Sequence, residues 1–484
     1  MSAITNLSAE AMAAAIRRGE LTARAVLEAH LARIERLDPE LGAFRTLLAQ
    51  SARAEADHID QHRDELSGRP LLGVPVAIKD TMDVRGVPSR LGTGSAQPPA
   101  TDDCEVVRRL RGAGAVIVGK TNLPELAAWP FTSSSSWGRT SNPWDTALDP
   151  GGSSGGSAVA VASRMCALAL GDDLGGSIRV PAANMGLFGL KPQADRVSTL
   201  PHVARIQGLG TYGPLARTVV DAGIALDVLS ACDGFAIAAR APEGAPRLRI
   251  GFSIDAPIGV MLSKSAREGL DRARLAFTSL GHSVETVRVR YGPLLPIAFF
   301  LRYFGGLADE YAALVEPHGT EPRTRHLARL GRLVPRAALR WAKGEGGRQW
   351  SRLAALFDRI DVLVTPVLTG PPSPSDFWGE RGLVSTLRAV AQHSPYAALA
   401  NMTGQPACAL PMGTDERGLP VAVQVLARPS EERTLLSLAA EVEKAHPFPT
   451  LVDDDDQPSR VVTSNRGGPG NGRRDHAEHP GERA

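Results

Sequence analysis

Two hydrophobic periods share this chain, and they trade places near residue 70. Leu27, Leu31 and Ile34 recur at the spacing of one helix face, with Thr22 placed as an N-cap and Pro39 as a break. Residues 1–65 therefore predict an outer helical layer. From Leu71 onward, short apolar runs at 74–78, 115–118 and 166–170 predict strands, separated by helical segments such as 102–111. A half-buried strand on Leu248, Ile250 and Phe252 follows. After it, a Ser265 to Glu268 capping box opens a helix through Leu270, Ala273 and Phe277 that Gly281 stops. Runs at 284–289, 362–365, 407–410 and 421–426 predict further strands, and Leu435, Leu438, Ala439 and Val442 a last amphipathic helix. Strand and helix in alternation define an α/β protein.

The pattern stops at about Pro449. Residues 453–484 open with four aspartates and pass into Gly, Pro, Arg and Asn, too poor in apolar side chains to offset the entropy of ordering, which predicts a disordered tail. Residues 291–350 depart in the other direction. Phe299, Phe300, Tyr303, Phe304, Tyr311, Trp341 and Trp350 gather there in a chain that is only 5% aromatic. Such a cluster serves either as helical core or as the wall of an apolar substrate channel, and both readings stand at this point.

Composition removes whole classes of function. The 484 residues are 43% hydrophobic and 22% charged, which excludes disorder, collagen and coiled coil as the overall state. A formal net charge of +2 supplies no field for nucleic acid or an anionic membrane surface. No stretch approaches the ~18 apolar residues of a membrane span. Length alone suggests about three domains, but large α/β enzymes exceed that size as one unit, so a single large domain stays open. Cys104, Cys166, Cys232 and Cys408 lie far apart with no CxxC pair, so neither a zinc site nor a disulfide framework is indicated and a reducing cytoplasm is expected. More telling, 48 of the 54 basic residues are Arg and only six are Lys. Arg keeps its proton at any useful pH, whereas a desolvated Lys can lose it, so each Lys is a candidate for proton transfer.

The chemistry concentrates in two glycine-rich loops. The first runs from Asp149 to Ser157, with four glycines and three serines in its last seven residues, and leads into the small apolar run 158–162. A phosphate cradle would end in GK[ST] or follow a strand as GxGxxG, and an α/β-hydrolase elbow would need a strand directly before Gly151, where residues 142–150 read as loop. Gly151 to Gly155 satisfies G-x-S-x-G formally but lacks that strand, and the endings of a phosphate cradle are missing. The second loop, GDDLGGSIRVPA at 171–182, places two glycines before a serine and a proline in the first turn of a helix. Backbone N–H groups around Gly175, Gly176 and Ser177 are then unpaired and can form an oxyanion hole beside a nucleophilic Ser177. No histidine lies near either loop, which leaves Lys79, at the end of the apolar run 74–78, as the substitute base.

Taken together these residues resemble the amidase signature family. The stretch 151–182 follows that family's signature, including the 24-residue separation of Ser153 and Ser177. The resemblance continues through GVPVAIKD at 73–80, GKTNLPEL at 119–126, SNPWD at 141–145, GLKP at 189–192, GPLARTVVDA at 213–222, NMTGQPACALP at 401–411 and GLPVAVQV at 418–425, covering roughly residues 5–447. It implies one large mixed sheet covered by helices on both faces. The implied division is an N-terminal helical layer at 1–65, a catalytic α/β domain at 66–449 with the aromatic-rich 291–350 on its substrate side, and the tail.

The resemblance also implies a Ser–cisSer–Lys triad, with Ser177 as nucleophile, Ser153 as the bridging serine in a cis peptide and Lys79 as base. Leu174, Gly175 and Gly176 would receive the oxyanion and Ser154 would support the loop. Asp173 and Arg179, which bracket the nucleophile, are expected to pin it by charge-assisted hydrogen bonds. Lys120 and Lys191 read as structural. For Lys79 to work near neutrality, desolvation must lower its pKa by about three units from about 10.4. Two positions depart from the family pattern: Asp172 stands where a small hydroxyl residue is common, and Thr81 where asparagine is. The expected function is hydrolysis of a linear carboxylic amide without metal or organic cofactor, acting on a small molecule, with no nucleic acid or membrane partner and a homodimer as the candidate assembly. The alternative is the catalytic subunit of a glutamine-dependent tRNA amidotransferase.

Overall fold

Strands buried along both alternations must be covered on both faces, and six of the strands here are of that kind. A computed structural model describes residues 2–203, 205–241, 244–379 and 381–451; the expected tail at 453–484 lies outside these described residues. The strands are β1 Phe44–Leu47, β2 Pro75–Lys79, β3 Val116–Thr121, β4 Ser133–Ser134, β5 Gly138–Arg139, β6 Leu168–Asp173, β7 Phe188–Lys191, β8 Thr211–Ala216, β9 Arg249–Phe252, β10 Ser283–Thr286, β11 Val362–Pro366, β12 Ala407–Thr414 and β13 Pro420–Ala427. Eleven of them form one mixed sheet in the order β1-β3-β2-β6-β8-β7-β12-β13-β11-β9-β10, while β4 and β5 pair separately. Every residue of β2, β3, β6, β7, β8 and β11 is buried. Residues 1–451 pack as one unit rather than the roughly three that length suggests.

Two apolar clusters fill the molecule. The larger joins the sheet to the helices Ala9–Arg17, Ala23–Leu41, Glu105–Gly112, Gly155–Ala162, Val219–Ser230 and Glu432–Ala445. The smaller gathers the helices Leu295–Ala312, Pro322–Arg332 and Arg336–Phe357 with residues 123–131. Among the described residues no helix is long and apolar enough to cross a membrane.

Topology places the chemistry. β2 lies parallel to both β3 and β6, with Ile78 opposite Leu170, so the carboxyl ends of β2 and β6 emerge at the same edge of the sheet. Lys79 closes one strand and Asp173 the other. The crevice beyond such strand ends is where α/β sheets hold ligands.

Three local expectations are corrected. Pro39 does not break its helix, which runs Ala23–Leu41 and ends at Gly42 in the left-handed region. Its ring and the carbonyl of Glu35 that loses a partner both face solvent, where water can satisfy the carbonyl, while the buried stripe continues to Leu41. The cap of the helix Lys264–Ser279 is Ser263, not Ser265. Its N–H is held by Thr369 C=O at 2.8 Å, and its hydroxyl accepts from the Ala266 N–H at 3.2 Å. Strands β1, β7 and β8 of the main sheet, and the short pair β4 and β5, go beyond the expected set. β7 and β8 carry Gly189, Gly213 and Pro214, residues that disfavour strands in isolation. Gly213 is nonetheless required, since a Cβ there would collide with the Leu190 carbonyl of the neighbouring strand.

Candidate active site

The first loop is built on a buried carboxyl. Asp149 accepts from the Gly151 N–H at 2.7 Å and the Thr132 N–H at 3.3 Å, and the Thr132 hydroxyl donates to Gly151 C=O at 2.7 Å. Burial, without a cationic partner, pushes the Asp149 pKa up to about 8. The Gly152–Ser153 peptide that follows is cis. Ser153 is fully buried, and the helix Gly155–Ala162 starts two residues on.

The second loop turns on Asp173. Its carboxylate accepts from the N–H groups of Gly176 at 2.7 Å and Ile178 at 3.2 Å, from Arg179 Nε at 3.0 Å and Nη2 at 2.8 Å, and from Asn401 Nδ2 at 3.0 Å. Burial alone would raise this carboxyl, but Arg179 and the other donors overcome it and hold it far below the ordinary carboxylate range. Arg179 is tied in turn to Ala397 C=O at 2.9 Å, Asn401 Oδ1 at 2.7 Å and Gln424. The pair therefore binds the loop to β13 and to the helix Ala398–Thr403.

The two loops meet at the sheet edge. Ser154 N–H donates to Ser177 C=O at 3.1 Å and the Ser154 hydroxyl to Asp172 C=O at 3.3 Å. Lys79 Nζ lies 2.7 Å from Ser153 Oγ, 3.1 Å from Asp172 Oδ1 and 3.3 Å from Asp172 C=O. Lys79, Ser153, Ser154 and Asp173 are wholly buried, and Ser177 is 8% exposed. Among the described residues no hydrogen bond joins the hydroxyls of Ser153 and Ser177.

Gly176 differs from its expected part. Its N–H is spent on Asp173, so it offers no oxyanion donor, and its φ of +116° shows why glycine stands there: the turn requires a left-handed residue. The amides of Leu174, Gly175 and Ser177 have no hydrogen-bond acceptor among the described residues. Leu174, Gly175 and Ser177 also line the cleft.

Three of the six lysines fall near this edge, and their surroundings separate them. Lys120 is ion-paired with Asp80 at 2.7 Å and donates to Ser89 at 2.7 Å. Lys191, lowered to about 7 by burial with Arg179 adding to it, donates to Pro192 C=O at 2.7 Å and does not line the cleft. Lys79 alone touches a serine of the two loops. Burial lowers its pKa to about 8, less than the three units expected, because Asp172 favours its ammonium form.

Above Ser177 the cleft is apolar. It is walled by Trp129, Ile258, Tyr291, Leu295, Phe299, Phe300, Tyr303, Leu387, Val390 and Met402 among others, and among the described residues no Asp, Glu, Lys, Arg or His lines it. The hydroxyl of Tyr291 donates to Asp255 C=O at 3.1 Å and that of Tyr303 to Ala128 C=O, so both present ring surface rather than a free polar group. Phe299, Phe300 and Tyr303 line the cleft, Phe299 and Tyr303 also packing against the smaller core cluster, whereas Phe304, Tyr311, Trp341 and Trp350 belong to that cluster and do not line the cleft.

Sequence reasoning missed Arg205, which reaches Asp172, and gave no role to Asn401 and Gln424, which hold Arg179. Asn401 and Gln424 fall inside recognised motifs. Arg205 sits in a segment without any.

A mixed sheet that delivers a lysine and two Gly-Ser loops to one edge beneath an apolar cleft defines an enzyme of the hydrolase class. The family described as Amidase matches residues 25–436, and the chain belongs to that amidase signature family. It is an amide-hydrolysing enzyme. It is 45% identical over 448 residues to the "Putative amidase AmiB2" of Mycobacterium tuberculosis, covering 91% of this chain and 96% of that one. It is 34% identical to a glutamyl-tRNA(Gln) amidotransferase chain of Synechococcus, over 88% and 94% of the two chains. Among solved structures, 6-aminohexanoate cyclic dimer hydrolase aligns with a TM-score of 0.82 at 27% identity, over 92% of this chain and 98% of that one.

Proposed function

We propose that this enzyme hydrolyses linear amides with an uncharged, apolar or aryl acyl group, through an acyl-enzyme on Ser177. The observation that carries the reading is the buried 2.7 Å contact of Lys79 Nζ with Ser153 Oγ, next to the serine that opens on the cleft.

The cycle follows from that contact. Neutral Lys79 takes the Ser153 hydroxyl proton as Ser153 takes that of Ser177. Ser177 Oγ bonds to the amide carbon, and the carbonyl electron pair moves onto oxygen, facing the amides of Leu174, Gly175 and Ser177. As the C–N bond breaks, the proton returns from Lys79 through Ser153 to the departing nitrogen. Water then enters the same relay, adds to the acyl carbon and releases the acid. Ser154, Asp173 and Arg179 hold the loops in register throughout. Rotation of the Ser177 hydroxyl toward Ser153 when substrate fills the cleft completes the chain of donors.

A pH dependence follows with a definite sign. Lys79 acts as base only when neutral, and its lowered pKa of about 8 leaves about a tenth of it neutral at pH 7. kcat/KM should therefore rise about tenfold per unit below pH 8 and level off above it, reporting the free enzyme. A kcat/KM profile flat from pH 6 to 9 would remove Lys79 as the base.

The cleft also separates the two functions considered for this fold. Glutamine brings an ammonium and a carboxylate, and a wall without a charged side chain leaves both unpaired at a cost of several kcal/mol. In a panel of aryl, aliphatic and glutamine amides, the apolar acyl groups should exceed glutamine in kcat/KM by roughly a hundredfold or more. A metal chelator should leave the rates unchanged. Glutaminase activity that appears only with co-purifying subunits would favour the amidotransferase instead. Cys104, Cys166 and Cys408 are free and buried, which supports a reducing, cytoplasmic setting, and sedimentation would test the homodimer.

A further inference from the structure

Lys79 does not stand alone on its strand end. Asp172 Oδ1 lies 3.1 Å from its Nζ, and the other oxygen of the same carboxylate, Oδ2, lies 2.5 Å from Arg205 Nη1. Arg205 Nε continues to Glu310 Oε1 at 3.1 Å. The side chains of Lys79, Asp172 and Arg205 are 0%, 1% and 2% exposed, and Glu310 at 20% is the end that water reaches. The row of charges thus runs Lys79, Asp172, Arg205, Glu310, alternating in sign from the catalytic edge to the surface of the helix Leu295–Ala312.

A carboxylate against a lysine that must be neutral to work is a liability unless something offsets it. Alone, Asp172 would fix Lys79 as an ammonium. Arg205 takes the other oxygen of that carboxylate while also pairing with Glu310, and its positive charge beside Lys79 favours the neutral amine, which leaves Lys79 able to lose its proton. During acylation Lys79 becomes an ammonium again, in a site where an uncompensated charge is costly, and Asp172 is already in contact with it. The other groups that act on this row are Asp173 on β6, whose charge is taken by Arg179, Tyr212 on β8 beside Arg205, and Tyr303 on the helix Leu295–Ala312, which lies within reach of Asp172. Neither tyrosine carries charge near neutrality, since burial pushes both phenols above their ordinary value.

We infer that Asp172 and Arg205 act as a matched pair of positioning residues for amide hydrolysis, with Asp172 aiming Lys79 at Ser153 and balancing the ammonium it becomes, and Arg205 keeping that carboxylate from locking the lysine in its charged form. Asp172 moves no proton and touches no substrate. The inference rests on the reading of Lys79 as base.

The two residues should displace the pH profile in opposite directions. Asp172→Asn keeps the shape and a hydrogen-bonding oxygen but removes the charge that favours the ammonium, so the acid limb of kcat/KM should move to lower pH by on the order of one unit or more. Its kcat plateau should fall, with KM little changed. Arg205→Gln leaves Asp172 unopposed, so the limb should move to higher pH by a similar amount. Activity lost at pH 7 should then return as the pH is raised, and Arg205→Lys should restore the wild-type limb.

Each variant is to be assayed on the full chain with its thermal midpoint recorded. Limbs unmoved in both variants, or moved in the same direction, would overturn the pairing while leaving Lys79 as base. A wild-type profile with no limb near pH 8 would instead remove the reading of Lys79 itself. Should Arg205→Gln fail to fold, Asp172→Asn and Arg205→Lys still decide: an Asp172→Asn limb at the wild-type position ends the proposal.

Discussion

Ser177→Ala is expected to lower kcat for every accepted amide by on the order of 10^5- to 10^6-fold, the loss seen when a nucleophile that works as a unit with its base is removed. The fold should not change. Ser177 is 8% exposed and contributes its carbonyl, not its side chain, to the bond from the Ser154 N–H. Alanine keeps that carbonyl and the amides beside it, so substrate should still bind and KM should move little. Steady-state kinetics on the purified variant, with a thermal melt alongside, measure both halves. An independent readout is covalent: a serine-directed fluorophosphonate should add its mass to a peptide containing Ser177 in the wild type and to none in the variant. Retained turnover, or labelling of another serine, would place the nucleophile elsewhere.

Lys79→Met should cost nearly as much, about 10^4-fold or more, because in the proposed cycle it removes the proton acceptor from a relay whose members are not additive. Methionine fills most of the volume that an alanine would leave empty, which matters for a side chain with no exposed surface. Asp172 keeps Arg205 as a partner, so no buried carboxylate is stranded. Combined with Ser177→Ala, the loss should be no greater than that of the serine change alone. The acid limb near pH 8 should vanish with the lysine, leaving whatever slow rate remains without that titration. A variant that kept both the rate and the limb would show that Lys79 is structural and that the base lies elsewhere.

Much of the site is legible in the chain because chemistry here is written in local sequence. Clustered glycines and serines at 151–157 and 175–177 are not the composition of an apolar core, and a chain that uses Arg almost everywhere spends one of its six Lys at the end of a buried strand. The strands that carry those residues, β2, β3 and β6, are expected because they are continuous apolar runs. What escapes such reading is non-local. β7 and β8 contain Gly and Pro where a strand would avoid them, and they exist because neighbours on both sides complete their hydrogen bonds. The helix at 23–41 passes through Pro39, which lies with Glu35 on the exposed face, while the buried residues on the other face hold the helix in place.

By itself, the sequence determined the fold class, the family and the identity of Lys79, Ser153 and Ser177 as the residues to watch, since apolar period, glycine content and motif spacing are properties of neighbouring residues. Only the tertiary structure decided how they are employed. It spent the Gly176 N–H on Asp173, because the turn after β6 brings that N–H to 2.7 Å from the carboxylate. It brought Phe299, Phe300 and Tyr303 to the cleft and left Phe304, Tyr311, Trp341 and Trp350 in the core cluster alone, which follows from the direction of each helix face rather than from composition. And it set Asp172 against Lys79, 93 residues away in the chain, with Arg205, 33 residues away, behind it, an alignment of charges that no local pattern announces and that burial, by excluding water, makes strong enough to matter.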